Sequence, residues 1–114
     1  MNDCVFCKII KREVPSEIIY EDENVLGFKN IQPEAPVHLL LTPKRHIEWK
    51  DEFGKEELCI FSRLIAVAKQ IAIQEKIARA YKLIFNVGKT GHISHIHLHL
   101  LGGWEEDKVP MHNV

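Results

Sequence analysis

The sequence contains three cysteines. An odd and small number excludes a full disulfide framework of the kind that staples small secreted domains. No apolar run approaches the length of about 18 residues that a membrane span needs. The opening Met1-Asn2-Asp3-Cys4 has no basic stretch followed by an apolar one. No signal peptide is expected, and the cytoplasm is the default compartment. Charge of neither sign is in excess, since 15 Lys and Arg face 16 Asp and Glu for a net charge of -1. That balance argues against a general nucleic-acid or membrane surface. Internal repeats and low-complexity segments are absent as well. What the chain does have, over 114 residues, is seven histidines and an apolar fraction of 46%. The length fits one domain that buries roughly two-thirds of its unfolded surface.

Three of those histidines lie in His95-Ile96-His97-Leu98-His99-Leu100-Leu101. On a strand, side chains alternate faces with period 2, so the three imidazoles share one face and the apolar residues the other. A helix would spread the histidines around its axis, and the strand is the reading taken. Gly102-Gly103 stops it. A row of imidazoles on a rigid strand can bind a metal, bind an anion or attack an electrophile. One mononuclear metal site from all three is disfavoured, because the outer two are about 13 Å apart along a strand.

Upstream, Cys4-Val5-Phe6-Cys7 is a C-x-x-C that in a reducing compartment reads as metal-binding or redox-active. Almost no chain precedes it to supply the strand of a thioredoxin-like unit, so metal is favoured. Two thiolates are half of a tetrahedral zinc site, and the remaining ligands must come from far along the chain. A short helix is expected over residues 6–11, and strands over 18–21 and 25–29 around an Asp22-Glu23-Asn24 turn. A proline-punctuated loop follows over residues 31–36. Val37 to Thr42 reads as a central strand buried on both faces. Residues 56–76 read as the one long helix, with Leu58, Phe61, Leu64, Ile65, Ala68 and Ile71 on its apolar face. Ile60, Ala66 and Val67 widen that face enough to predict burial on two sides, the second against another subunit. Cys59 is expected to be a buried small apolar residue. A strand over 81–86 leads into the glycine-containing loop 87–92. That loop can offer backbone N–H groups to an anion, but it lacks the Gly-Lys-Ser/Thr ending of a P-loop.

The pattern His-φ-His-φ-His-φ-φ, with φ apolar, resembles the signature of the histidine triad (HIT) family. Phe6-Cys7-Lys8-Ile9-Ile10, Val14-Pro15, Ile19-Tyr20-Glu21-Asp22, Ala35-Pro36-Val37-His38, Pro43-Lys44-Arg45-His46-Ile47 and Leu101-Gly102-Gly103 resemble its small phosphoramidase branch, in the same order. The resemblance covers residues 4–103 as a single HIT-like domain and leaves 104–114 as a C-terminal tail. It implies an α+β fold: an antiparallel sheet of about five strands with one long helix and a short N-terminal helix, the sheet extended across a homodimer. It also implies hydrolysis at the α-phosphorus of a nucleoside phosphoramidate through a nucleotidyl-histidine intermediate. His97 would be the nucleophile. His99 and the backbone around Ser94 would hold the phosphoryl oxygens, and His38 would support the site. Phe28, Ile31, Asn30, Asn86 and His99 would contact a purine nucleotide. Family members that bind zinc use the positions of Cys4, Cys7, His46 and His95, a closed Cys2His2 set and hence structural. Other reactions open to the scaffold are dinucleoside polyphosphate hydrolysis and nucleotidyl transfer. A further reading is a zinc-stabilised dimer that binds nucleotides with little turnover.

Two positions depart from the family pattern. Asn30 stands where an Asp usually accepts bonds from both ribose hydroxyls, so ribose binding should be weaker or altered. The segment Gly91-His92-Ile93-Ser94-His95 is one residue short of a Gly-Gln-x-Val-x-His pattern and lacks its glutamine. Either Thr90 or His92 substitutes, or the shortened loop impairs catalysis. His92 and His112 otherwise default to the surface.

Overall fold

A computed structural model describes residues 4–88 and 93–105. The predicted alternation produces the expected elements: α1 (Val5–Ile10), β1 (Ile18–Glu21), β2 (Val25–Lys29), β3 (Val37–Pro43), α2 (Lys55–Gln74), β4 (Tyr81–Phe85) and β5 (Leu98–Gly102). The five strands form one sheet in the order β1-β2-β3-β5-β4, with every neighbouring pair antiparallel. β3 lies at the centre, and its residues from His38 onward are all buried, as the unbroken apolar run requires.

Period 2 sorts the side chains into two layers. Leu39 and Leu41 of β3 and Leu98 and Leu100 of β5 pack against Leu64, Val67, Ala68 and Ile71 of α2. On the opposite face, Leu26, Phe28 and Leu40 pack against Phe6 and Ile9 of α1. The first layer is the main core. The second is thinner and carries the histidines.

The predicted histidine strand begins later than expected. Ladder pairing starts at Leu98, opposite Leu41 and Phe85. Upstream, β3 has ended at Pro43, and the chain pairs instead with the segment after it. His95 bridges Glu48, and the Ile96 N–H donates to the Ile47 carbonyl at 2.8 Å. The Thr42 hydroxyl donates to the Ile96 carbonyl at 3.0 Å. Alternation survives the change of partner, so Ile96 still enters the main core. β5 ends beside Gly103, which takes a φ of +83° that only glycine adopts freely.

α2 splits its apolar residues between two sides. Leu64, Val67, Ala68, Ile71 and Ala72 are buried, whereas Leu58, Ile65 and Ile73 are 52%, 46% and 61% exposed. Cys59 is also exposed, which corrects its expected burial: it sits on the outward side of the helix beside Leu58. Among the described residues no helix is long and apolar enough to cross a membrane.

Candidate active site and metal centre

A cavity of about 430 Å³ opens on the histidine face of the sheet. Its apolar wall comes from α1 and β2, including Val5, Phe6, Ile9 and Phe28. Its polar end brings together Asn30, His38, Asn86, His97 and His99. Every residue expected at the nucleotide, and three of the four expected in catalysis, therefore line one space. Ile31 does so while 88% exposed, at the rim. Ser94 is exposed and is not among the lining residues. Thr90 and His92 lie outside the described residues, as does His112.

Hydrogen bonds fix the state of each imidazole, since a neutral ring has one donor and one acceptor nitrogen. His97 places Nδ1 at 2.8 Å from the His95 carbonyl. That contact needs the proton on Nδ1 and leaves the Nε2 lone pair free. The Phe6 ring meets the His97 ring edge-on at 4.9 Å. Burial holds the His97 pKa below its ordinary value, so the ring is neutral and nucleophilic near pH 7.

The His38 ring accepts the Glu34 backbone N–H at Nδ1 (3.0 Å). Its proton is therefore on Nε2, which donates to His99 Nδ1 at 2.9 Å. His99 in turn keeps its proton on Nε2; the Asn86 Nδ2 stands 3.3 Å from it and, being a donor itself, does not accept that proton. The result is one N–H, on His99, presented beside the free nitrogen of His97; their ring centroids are 5.0 Å apart. Burial, followed by the charges His97 and His38 would carry, pushes His99 down to about 4. Burial also lowers His38. Asn30 uses its side-chain oxygen to accept the Gln32 N–H at 2.9 Å, which turns its NH2 group toward His38.

Beside the cavity, Cys4, Cys7, His46 and His95 bring one ligand atom each within 4.8 Å of one another. Cys4 Sγ is 3.3 Å and Cys7 Sγ 3.6 Å from His95 Nδ1, and Cys7 Sγ is 3.1 Å from His46 Nδ1. Tetrahedral zinc with ordinary Zn–S and Zn–N bonds sets its S and N ligands roughly 3.6 Å apart. The other ring nitrogens are already engaged: His95 Nε2 donates to the Pro43 carbonyl at 2.9 Å and His46 Nε2 to Glu48 Oε2 at 2.9 Å. Both rings therefore offer Nδ1 inward, with outer partners of the kind that orient metal ligands. The donor set fits structural zinc and leaves no open position for substrate.

A family model described as "Scavenger mRNA decapping enzyme C-term binding" matches residues 3–110. The chain is 43% identical over 105 residues to a purine nucleoside phosphoramidase of Escherichia coli K12, covering 90% of this chain and 88% of that one. A histidine triad protein of Clostridium difficile superposes with a TM-score of 0.88 at 34% identity, covering 99% of this chain and 98% of that one. The chain belongs to the histidine triad family. Within that family it is also 42% identical over 105 residues to a 14 kDa zinc-binding protein of Brassica juncea, covering 89% of this chain and 93% of the relative.

Sequence reasoning did not find Phe6, Glu34 or Glu48 as site residues. Phe6 carries a signal in hindsight, since it stands between the two cysteines of the C-x-x-C. Glu48 follows His46 at a spacing of two, which on an extended segment puts both side chains on one face. Glu34 acts through its backbone N–H, which no residue type reveals.

Proposed function

We propose that this protein is a hydrolase acting at the α-phosphorus of purine nucleoside phosphoramidates, releasing the amine and a nucleoside monophosphate. The observation that carries the reading is the pairing of a free Nε2 on His97 with the N–H of His99 at the polar end of a cavity that has an apolar wall. The similarity to a purine nucleoside phosphoramidase supports the same substrate class.

The purine packs in the apolar slot of Val5, Phe6, Ile9 and Phe28, with Ile31 at its rim. Such a slot gives affinity with little base discrimination. The α-phosphorus then sits at His97. Nε2 forms a bond to phosphorus as the phosphorus–nitrogen bond to the amine breaks, and the amine leaves with a proton taken from solvent, which the attacking water returns in the second step. The His99 N–H, with Asn86 beside it, stabilises charge on a phosphoryl oxygen. Water then attacks phosphorus, the bond to Nε2 breaks, and the monophosphate leaves. Splitting one displacement into two easier ones is the gain from a nucleophilic side chain. His38 holds His99 in the one tautomer that donates toward the phosphate.

Zinc held by Cys4, Cys7, His46 and His95 supplies no chemistry to these steps. It would hold the His95 ring, next to the carbonyl that accepts from His97 Nδ1. The protein works as a homodimer. Leu58, Ile65 and Ile73 on the outer side of α2 and Ile84 on the edge strand β4 are all at least 40% exposed. A second copy covers them and continues the sheet.

The test is release of AMP from adenosine 5′-phosphoramidate by the parent protein and by His97→Ala. Turnover by the parent, and its loss by at least about 10³-fold in the variant, is expected for a missing nucleophile. Equal turnover by both would rule out His97.

A further inference from the structure

α1 belongs to two sites at once. It is six residues long, too short to be stable by itself, so its position depends on what it docks against. On one side, Cys4 caps the helix and Cys7 lies in its first turn, both facing His95. On the other side, the same turns give the cavity its Val5, Phe6 and Ile9 wall. Phe6 sits between the two cysteines in sequence and between the two sites in space. Its ring is 6.1 Å from His95, 4.9 Å from His97 and 5.4 Å from Phe28.

We propose that metal occupancy at Cys4, Cys7, His46 and His95 sets the nucleotide affinity of the neighbouring cavity, with α1 as the coupling element and Phe6 as the positioning residue that transmits it. The proposal rests on the nucleotide reading above. Zinc would tie the start of α1, through Cys4 and Cys7, to His95 and to His46. Without it, weak thiol–imidazole contacts stand where the zinc bonds would be, and α1 otherwise docks through one small apolar layer and the exposed Arg12–Glu21 ion pair just past its end. A fraction of metal-free molecules then has α1 displaced. Those molecules lack one wall of the base slot and the ring that packs on His97. A ligand that needs the docked helix loses affinity in proportion to that fraction. Coupling of this kind is reciprocal, so nucleotide must tighten zinc by the factor by which zinc tightens nucleotide.

The experiment measures zinc affinity by competition with a chromophoric chelator, with and without saturating AMP, and AMP affinity by calorimetry on zinc-loaded and metal-stripped protein. The expected result is a shift of about tenfold, the same in both arms. Phe6→Leu should reduce the shift below about threefold, because the shorter side chain no longer spans the two sites. A third reading needs no stable metal-free form: the rate at which chelator strips zinc from loaded protein should slow by a similar factor when AMP is present. AMP that binds zinc-loaded protein yet leaves both zinc affinity and stripping rate unchanged would overturn the coupling alone. Failure of zinc-loaded protein to bind AMP at all would contradict the nucleotide reading and take the coupling with it.

Discussion

Each histidine in the site has its role set by a backbone partner more than by its own identity. The His95 carbonyl frees Nε2 of His97, and the Glu34 N–H fixes His38, which in turn fixes His99. The motif made the three imidazoles legible in the sequence, and alternation put them on one face. Their tautomers were not legible, because they depend on contacts that residue types do not reveal: the His95 carbonyl at His97, and at His99 the His38 ring, itself set by the Glu34 N–H. A pH dependence follows. Burial lowers His38, and lowers His99 to about 4; both rings titrate near 6.5 once unfolded. Between those values the unfolded chain binds more protons than the folded one, so stability present above about pH 6.5 is lost as pH falls toward 4. The urea midpoint should therefore drop steadily from pH 7 to pH 5, and less steeply in His99→Gln. A midpoint flat over that interval would contradict the assigned neutral rings.

Elements were legible wherever one periodicity runs unbroken. β1 and β2 form as the residues on either side of the Asp22 turn require. Asp22 accepts the backbone N–H groups of Asn24 and Val25 at 2.7 and 2.8 Å and binds Arg63 of α2 at 2.6 Å. The late start of β5 was not legible, because His95 to His97 alternate as a strand while bonding outside the sheet. Nor was the closeness of β2 to its neighbours. A Cβ on Gly27 would stand 2.7 Å from Leu41 Cδ2, 3.3 Å from Tyr20 Cβ and 3.7 Å from Ile71 Cδ1. Gly27→Ala should overpack this layer and cost about 1–3 kcal/mol in chemical denaturation. A change below about 0.5 kcal/mol would mean the layer yields freely.

For the whole molecule, the length of 114 residues pointed to a single domain and the width of the α2 apolar face to a partner. The structure buries one side of that face in the core and leaves Leu58, Ile65 and Ile73 exposed on the other, where the proposed dimer would form. Which individual residues face out was misread for Cys59, since a helical face about 100° wide blurs positions at its border. Ile65→Glu puts a charge on the outward side without touching the core. It should turn a dimer into a monomer by analytical ultracentrifugation, with the urea midpoint of the monomer retained. A parent protein that sediments as a monomer would contradict the dimer directly.

The central claim is that His97 forms a bond to phosphorus. The most direct measurement is quenching turnover of adenosine 5′-phosphoramidate in alkaline denaturant, which preserves phosphorus–nitrogen bonds, followed by mass spectrometry of the protein without exposure to acid. The expected result is one adenylyl group per subunit, carried on the peptide containing His97, and no such adduct in His97→Ala. Steady turnover with no adduct at any time point, together with an active His97→Ala, would contradict the account.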